Sequence, residues 1–275
     1  MKKSIKQLLA GNALMLASLS ASAVVIVDGN FGDWQVDSNS MQSGLSDVHQ
    51  TVEDQHGGYL SPGYGGQQYD AEAMYTRWDN SRLYIGVMTG RAQNASGWTA
   101  GDIAIDLGSN GSYEFGVVTS SQTGFGGDGI GNAGALYAVN DWNYGIWEAP
   151  NQSVGLNAQG AVDYGHPTSV AQGALIDMVD FAYSDDETGL GQWDDDRHYF
   201  IETAIDVSLL GGLSSLLSDG FSLHWAANCN NDFIQLDIDP AAVPEPGTFG
   251  MLLAGSLALF FARRRESNKD ESIIA

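Results

Sequence analysis

Cysteine is almost absent from this chain. Cys229 is the only one in 275 residues, so no disulfide can form within the chain and the fold must rest on its hydrophobic core. Cys229 lies between two asparagines on an otherwise apolar segment. We interpret it as a small buried side chain rather than a reactive thiol.

Positive charge is nearly absent from the central part of the chain. Residues 24–242 contain no lysine and only four arginines, against 30 aspartates and glutamates. Binding to nucleic acid needs Lys and Arg side chains that displace counterions from phosphates, so this balance excludes nucleic acid as a partner. The acidity favours divalent cations and a strongly hydrated surface. The alternative is a solvated acidic coat with no specific ligand.

Recognisable catalytic motifs are also missing. The sequence has no GxSxG and no HExxH, and its five histidines are scattered. Residues 129–134 spell GxGxxG, but no βαβ pattern surrounds them. We therefore predict that the protein is not an enzyme. A surface glycan hydrolase built on a carboxylate pair is the less favoured alternative.

The N-terminus has the pattern of a signal peptide. Three lysines within the first six residues precede an apolar run over residues 8–19, which ends in Ala21-Ser22-Ala23. A basic start, an apolar run and a small-x-small motif are what signal peptidase requires. We predict a signal peptide over residues 1–23, cleaved after Ala23.

The C-terminus carries a second apolar segment. Pro244-Glu245-Pro246 precedes an apolar stretch over residues 249–262, and Arg263-Arg264-Arg265 follows it. A helix over that stretch is about 21 Å long at 1.5 Å per residue, shorter than a hydrocarbon core of about 30 Å. The arginines predict a cytoplasmic end, with residues 266–275 as a cytoplasmic tail. A permanent tail anchor is the alternative.

This order of a Pro-Glu-Pro motif, a short apolar helix and an arginine cluster resembles the PEP-CTERM sorting signal of Gram-negative bacteria, over residues 243–265. The resemblance implies recognition by an exosortase, a membrane protease-transpeptidase that cuts near the Pro-Glu-Pro motif. It also implies transient anchoring in the inner membrane and a final place at the cell surface or in the extracellular matrix. Proteins with this signal are associated with exopolysaccharide and biofilm.

Residues 24–242 have the pattern of one all-β domain. Short alternating runs such as Leu83-Tyr84-Ile85-Gly86-Val87 indicate strands, and clusters such as Asp79-Asn80-Ser81 indicate turns between them. We predict an antiparallel β-sandwich, jelly-roll-like, with long glycine-rich loops at residues 57–66 and 124–134. A short helical turn is expected at residues 208–210, ended by Gly211-Gly212.

Three patches of this region resemble family 9-type carbohydrate-binding modules and related DOMON-like sandwiches. They are residues 27–34 (VDGNFGDW), 77–87 (RWDNSRLYIGV) and 202–210 (ETAIDVSLL). The resemblance implies a β-sandwich, often with structural calcium, and in some members a sugar site between aromatic rings.

Two kinds of ligand site follow as hypotheses. Sugars stack on aromatic rings beside polar groups, and the rings with such neighbours are Trp142, Tyr144, Trp147 and Trp193. The alternative is that these rings fill the core.

Calcium binds hard oxygen ligands, and the paired acids that suggest a calcium site are Asp70, Glu72, Asp185, Asp186, Asp194 and Asp196. The alternative is a set of solvated acidic faces.

Overall fold

The computed structural model describes most of the central region. It covers residues 25–53, 66–93, 95–121, 130–145, 153–156, 162–164, 166–184, 187–188, 190, 197–230 and 232–240. The predicted signal peptide (1–23), sorting signal (243–265) and tail (266–275) lie outside the described residues.

Strands dominate these ranges, as predicted. They are β1 (His49–Val52), β2 (Ala71–Trp78), β3 (Arg82–Thr89), β4 (Ile103–Leu107), β5 (Phe115–Val117), β6 (Ala135–Asn143), β7 (Ser153–Leu156), β8 (Val162–Tyr164), β9 (Ser169–Met178), β10 (Asp180–Tyr183), β11 (Glu187–Thr188), β12 (Arg197–Asp206), β13 (Phe221–Ala226) and β14 (Phe233–Ile238). Helical structure among the described residues is limited to 3-10 turns at Phe31–Trp34, Gln67–Tyr69 and Val207–Leu210 and one helix, α1, at Leu213–Ser218.

The strands form two large antiparallel sheets. The first has the order β1-β2-β3-β12-β10, with β11 added to β12, and the second has the order β14-β13-β4-β5-β6-β9. Strands β7 and β8 pair with each other in a separate hairpin. The predicted antiparallel β-sandwich is therefore confirmed.

The β2–β3 hairpin lies where the sequence predicts it. Its turn is closed by the Asp79 carboxylate, whose Oδ1 accepts the backbone N–H groups of Ser81 at 2.7 Å and Arg82 at 2.8 Å. An aspartate that bonds the backbone two residues further on is a common means of stabilising a tight turn. The predicted turn at residues 208–210 is also confirmed, with Gly211 at φ 91° as its cap.

The main core fills the space between the two sheets. Fully buried apolar side chains from both sheets meet there, including Met74, Ile85, Ile201, Ile105 and Trp225. Burying each such aliphatic or aromatic side chain contributes about 1.5–3 kcal/mol. Cys229 is 1% exposed and belongs to this core.

The outer face of the first sheet is buried as well. The N-terminal segment packs Trp34 and Met41 against Tyr75, Met88 and Phe200. The Trp34 indole N–H donates to Glu202 Oε1 at 2.7 Å, and the backbone N–H groups of Asp28 and Gly29 donate to Oε2 at 2.9 and 3.0 Å. One carboxylate on a central strand therefore fixes the segment that contains the VDGNFGDW motif.

Candidate functional site

Four carboxylates meet at the edge where β1 and β2 approach the β13–β14 hairpin, and we call them the carboxylate cluster. Glu53 directly follows β1, Asp70 precedes β2, Glu72 lies in β2, and Asp232 precedes β14. Asp70 and Asp232 are each 2% exposed, and Glu72 is fully buried. Glu72 lies at an irregularity of the β2–β3 pairing between Ala71 and Ala73. Such bulges redirect side chains and are common beside functional sites.

The Glu72 carboxylate contacts polar side chains beside the cluster. Gln67 Nε2 donates to its Oε1 at 2.5 Å, and His198 Nε2 lies 3.0 Å from its Oε2. The backbone N–H of Glu53 donates to the Glu72 carbonyl oxygen at 2.8 Å. These contacts compensate the burial of this carboxylate and hold β1, β2 and β12 together.

Asp70 is bonded differently. Its Oδ2 is buried and accepts no hydrogen bond from the described residues, while its carboxyl group contacts that of Asp232. Burial and the neighbouring Asp232 raise the pKa of Asp70 to about 10. Burial, followed by Asp232, also raises the pKa of Glu53 to about 9. Neighbouring buried carboxylates repel one another when ionised, so at least one of them tends to keep its proton.

A polar cleft of about 360 Å³ lies beside the cluster. It is lined by Gln67, Gln68, Arg91, Arg197 and Tyr199, together with small residues of the loop that follows β3. The Arg91 side chain is fixed in this wall, because its guanidinium lies 4.6 Å from the Tyr69 ring centre and donates to the carbonyl oxygens of residues 68, 96 and 98. The cleft is large enough for a small ligand.

The comparisons with known proteins concern the C-terminus. Residues 242–265 match the PEP-CTERM protein-sorting motif. The PEP-CTERM motif indicates an exported protein that an exosortase sorts and that is anchored transiently in the membrane before sorting. No curated protein matches the chain. Among the described residues, which stop short of this motif, no helix is long and apolar enough to cross a membrane.

The PEP-CTERM motif confirms the predicted sorting signal. The sugar hypothesis concerns four aromatic residues of the domain before that motif. Trp142 is the penultimate residue of β6 and has 7% of its surface exposed, and its indole N–H donates to the Tyr113 carbonyl oxygen at 3.0 Å. Its ring packs among Val170, Tyr137 and their neighbours, so the core alternative describes Trp142. Tyr144 lies beside this cluster and is partly buried. Trp147 and Trp193 lie outside the described residues.

Of the six acids in the calcium hypothesis, only Asp70 and Glu72 lie among the described residues. Asp185, Asp186, Asp194 and Asp196 lie outside the described residues. Asp70 and Glu72 are brought together, and the structure adds Glu53 and Asp232, which sequence reasoning missed. The one sequence signal for Asp232 is the polar run over residues 228–232 directly before an apolar strand. Among the described residues, no group of three or more His, Cys, Asp or Glu side chains is placed so that it could hold a metal ion.

Proposed function

We propose that this protein is a non-catalytic component of the cell surface or extracellular matrix, delivered there by exosortase-dependent sorting, and that its β-sandwich binds a matrix polysaccharide. The observation that carries the proposal is the PEP-CTERM motif at residues 242–265, directly after an acidic β-sandwich. Signal peptidase and exosortase are the expected partners during export. The alternative is a structural matrix protein of the exopolysaccharide layer, without a small ligand.

The polar cleft supports the glycan-binding part of the proposal. Sugar recognition combines an aromatic ring with amides and charged groups that bond hydroxyls, and the cleft places the Tyr199 ring beside the side chains of Gln67 and Gln68. Arg197 adds a positive charge in a region that has only four arginines. Its presence favours a glycan with carboxylate groups over a neutral one.

The sorting step is tested by changing Pro244-Glu245-Pro246 to three alanines. We expect the wild-type protein, recovered from the cell surface or medium, to begin at Val24 and to end near Pro244. The variant should keep its C-terminus and remain in the membrane fraction, because exosortase no longer cuts it. Intact mass spectrometry of cell fractions measures both. A matched control replaces Glu266 and Asp270 with glutamine and should be processed normally.

Two outcomes would contradict the sorting proposal. One is identical processing of the wild type and the alanine variant. The other is an intact polypeptide, ending at Ala275, dissolved in the cytoplasm of wild-type cells. Either result would show that the Pro-Glu-Pro motif does not direct this protein to the cell surface.

Glycan binding is tested with the protein's own exopolysaccharide and an array of acidic glycans. We expect Tyr199→Ala and Gln68→Ala to weaken binding about tenfold each, a loss of about 1.4 kcal/mol. Gln68 is exposed, so its replacement leaves the fold intact. Asp239 is exposed, directly follows β14 and does not line the cleft, so Asp239→Asn should bind like the wild type. No binding by the folded wild-type protein would favour the purely structural alternative.

A further inference from the structure

We propose that the polar cleft binds a sugar that carries a carboxylate, a uronic acid residue, and that Arg91 is the residue that sets this specificity. The inference rests on the glycan-binding part of the proposed function and goes further, because it names the chemical class of the sugar and the side chain that selects it. Its basis is a positive charge in the wall of the cleft that no carboxylate of the described residues pairs with.

Arg91 is a buried cation. The residue is 2% exposed, and its guanidinium contacts the Tyr69 ring and donates to the carbonyl oxygens of residues 68, 96 and 98. These partners orient the guanidinium, but none of them carries a net charge. Its Nε is buried and has no hydrogen-bond partner among the described residues. Buried charges are normally paired with an opposite charge, and Arg91 departs from that rule.

Two other arginines of the domain follow the rule. Arg77 Nη2 lies 2.7 Å from Asp47 Oδ2, and Arg82 pairs with Asp180. Acids outnumber arginines by 30 to four over residues 24–242, so an arginine without an acidic partner is unexpected on composition alone. The charge of Arg91 is therefore left for a ligand to balance.

This charge acts on the cleft because Arg91 lines it. The described lining residues also include Arg197, which is exposed, and none of them is acidic. Glu72 bonds to the lining residue Gln67, but Glu72 is fully buried and does not itself line the cleft. Water and salt screen a buried charge much less than an exposed one. Arg91 therefore attracts an anion in the cleft even across the atoms of the wall.

The balance of charge favours a carboxylate as the anion. One buried guanidinium balances one negative charge, which a carboxylate carries, whereas a phosphate monoester carries about two. A planar guanidinium also matches a planar carboxylate. The Tyr199 ring provides a surface on which a sugar can stack, and the small residues Gly90, Ala92 and Ala95 leave room for its ring. A uronic acid combines the two features, because it is a sugar ring with a carboxylate.

The test compares two sugars that differ in charge alone. The full exported protein, purified from the cells that make it, is titrated calorimetrically with trigalacturonate and with the methyl ester of trigalacturonate, in about 0.15 M NaCl. The ester keeps the rings and hydroxyls but removes the charges. We expect trigalacturonate to bind about tenfold more tightly than the ester. A galactose trimer with 6-sulfates in place of the carboxylates should bind about threefold less tightly than trigalacturonate.

Ala95→Asp tests the charge of the cleft without altering a buried residue. Ala95 lines the cleft and is half-buried, so an aspartate there supplies the acid that Arg91 lacks. The affinity for trigalacturonate should fall about 30-fold, while the affinity for the ester should stay within about threefold of the wild type. Ala95→Asn has the same shape without the charge, and as the matched control it should keep the wild-type preference for the acid.

Two substitutions of Arg91 separate its charge from its structural role. Arg91→Lys keeps the charge and should keep a preference for the acid, whereas Arg91→Gln should bind the acid and the ester equally. A damaged wall would weaken both sugars alike, so the ratio of the two affinities is the measurement. Arg82→Gln, which removes an arginine away from the cleft, should leave that ratio unchanged. Ala95→Asp decides the question if an Arg91 variant does not fold.

The outcomes distinguish this inference from the proposal on which it rests. Equal affinity of the wild type for trigalacturonate and its ester would overturn the inference and leave glycan binding in place. An undiminished preference for the acid in Ala95→Asp would also overturn it, as would a sulfated trimer that binds as tightly as trigalacturonate. Absence of binding by every acidic and neutral glycan, up to about 10 mM, would overturn glycan binding and this inference together.

Discussion

Replacing Glu202 with alanine is expected to lower the free energy of unfolding by about 3–5 kcal/mol. Glu202 is fully buried on β12, a strand with neighbours on both sides. Its carboxylate accepts three N–H groups, from the Trp34 indole and from two backbone amides of the N-terminal segment. Alanine leaves these donors without an acceptor, and each buried donor without a partner costs about 1–3 kcal/mol. Since domains are stable by only about 5–15 kcal/mol, the loss is a large fraction of the total.

Urea unfolding followed by tryptophan fluorescence measures this loss. Because Trp34 packs against Tyr75 and Phe200 under the same segment, we expect the variant to expose the Trp34 indole before the rest of the sandwich unfolds. Asp239→Asn, which removes an exposed acid, should stay within about 0.5 kcal/mol of the wild type. A Glu202→Ala protein that is as stable as this control would show that the carboxylate does not anchor the segment.

The pH profile of Glu202→Gln gives an independent check. Burial raises the pKa of Glu202 to about 7, although its three N–H partners act to lower it. The folded state therefore keeps this proton to a higher pH than the unfolded state, whose pKa is near 4.5. Its contribution to stability consequently falls as the pH rises from about 4.5 to 7. Glutamine cannot titrate, so stability should fall less over this interval in Glu202→Gln than in the wild type.

The strands that the sequence predicts best are those with uninterrupted alternation and a clear turn. The run from Leu83 to Val87 is an example, and β2, β3 and their turn lie where expected. The same pattern misleads about burial, because alternation suggests one solvent-facing side. In the structure β3 is buried on both faces after its first residue, since the N-terminal segment covers the outer face. The N-terminal segment that covers this face is far from β3 in the sequence, so the alternation within β3 cannot predict the burial of its outer face.

The β6–β9 pair shows why other parts could not be predicted. Its register shifts between Leu136 and Tyr137 and at two places from Val139 to Trp142. Each irregularity interrupts the period of two on which strand prediction depends. From the sequence, Trp142 is therefore predicted either as one of a cluster of rings beside polar residues or as part of the core. Pairing with β9 places it inside the protein instead.

Two of the four members of the carboxylate cluster could be predicted from the sequence. Asp70 and Glu72 are neighbours along the chain, so their pairing could be seen, whereas Asp232 approaches only because two sheets meet. The Ala71–Asp232 hydrogen bond joins residues 161 positions apart. Contacts of that separation depend on the strand order, which the alternating pattern does not determine. The sorting signal is the opposite case, because its three parts are contiguous and were identified from the sequence alone.

Replacing Gly101 with alanine is expected to cost about 4 kcal/mol or more, because the space for a side chain is occupied by backbone. Gly101 lies two residues before β4, and a Cβ added there would be 1.8 Å from the Ala226 carbonyl oxygen and 2.6 Å from that of Thr168. The Gly101 carbonyl oxygen also accepts from Trp225 Nε1 at 2.8 Å and Thr119 Oγ1 at 2.6 Å. Relief of the clash requires the main chain to move, and that movement breaks both hydrogen bonds.

Gly44→Ala is the matched control for this substitution. A Cβ at Gly44 would meet its nearest atom, the Gln35 carbonyl oxygen, at an ordinary 3.6 Å, so a change within about 0.5 kcal/mol is expected. Both variants are compared by urea unfolding under the same conditions, with soluble yield as a second readout. Equal stability of the two would mean that β4, β13 and the chain before β9 do not meet as closely at Gly101 as the sandwich requires. A selective loss in Gly101→Ala would show that a glycine is needed where the strands of the second sheet converge.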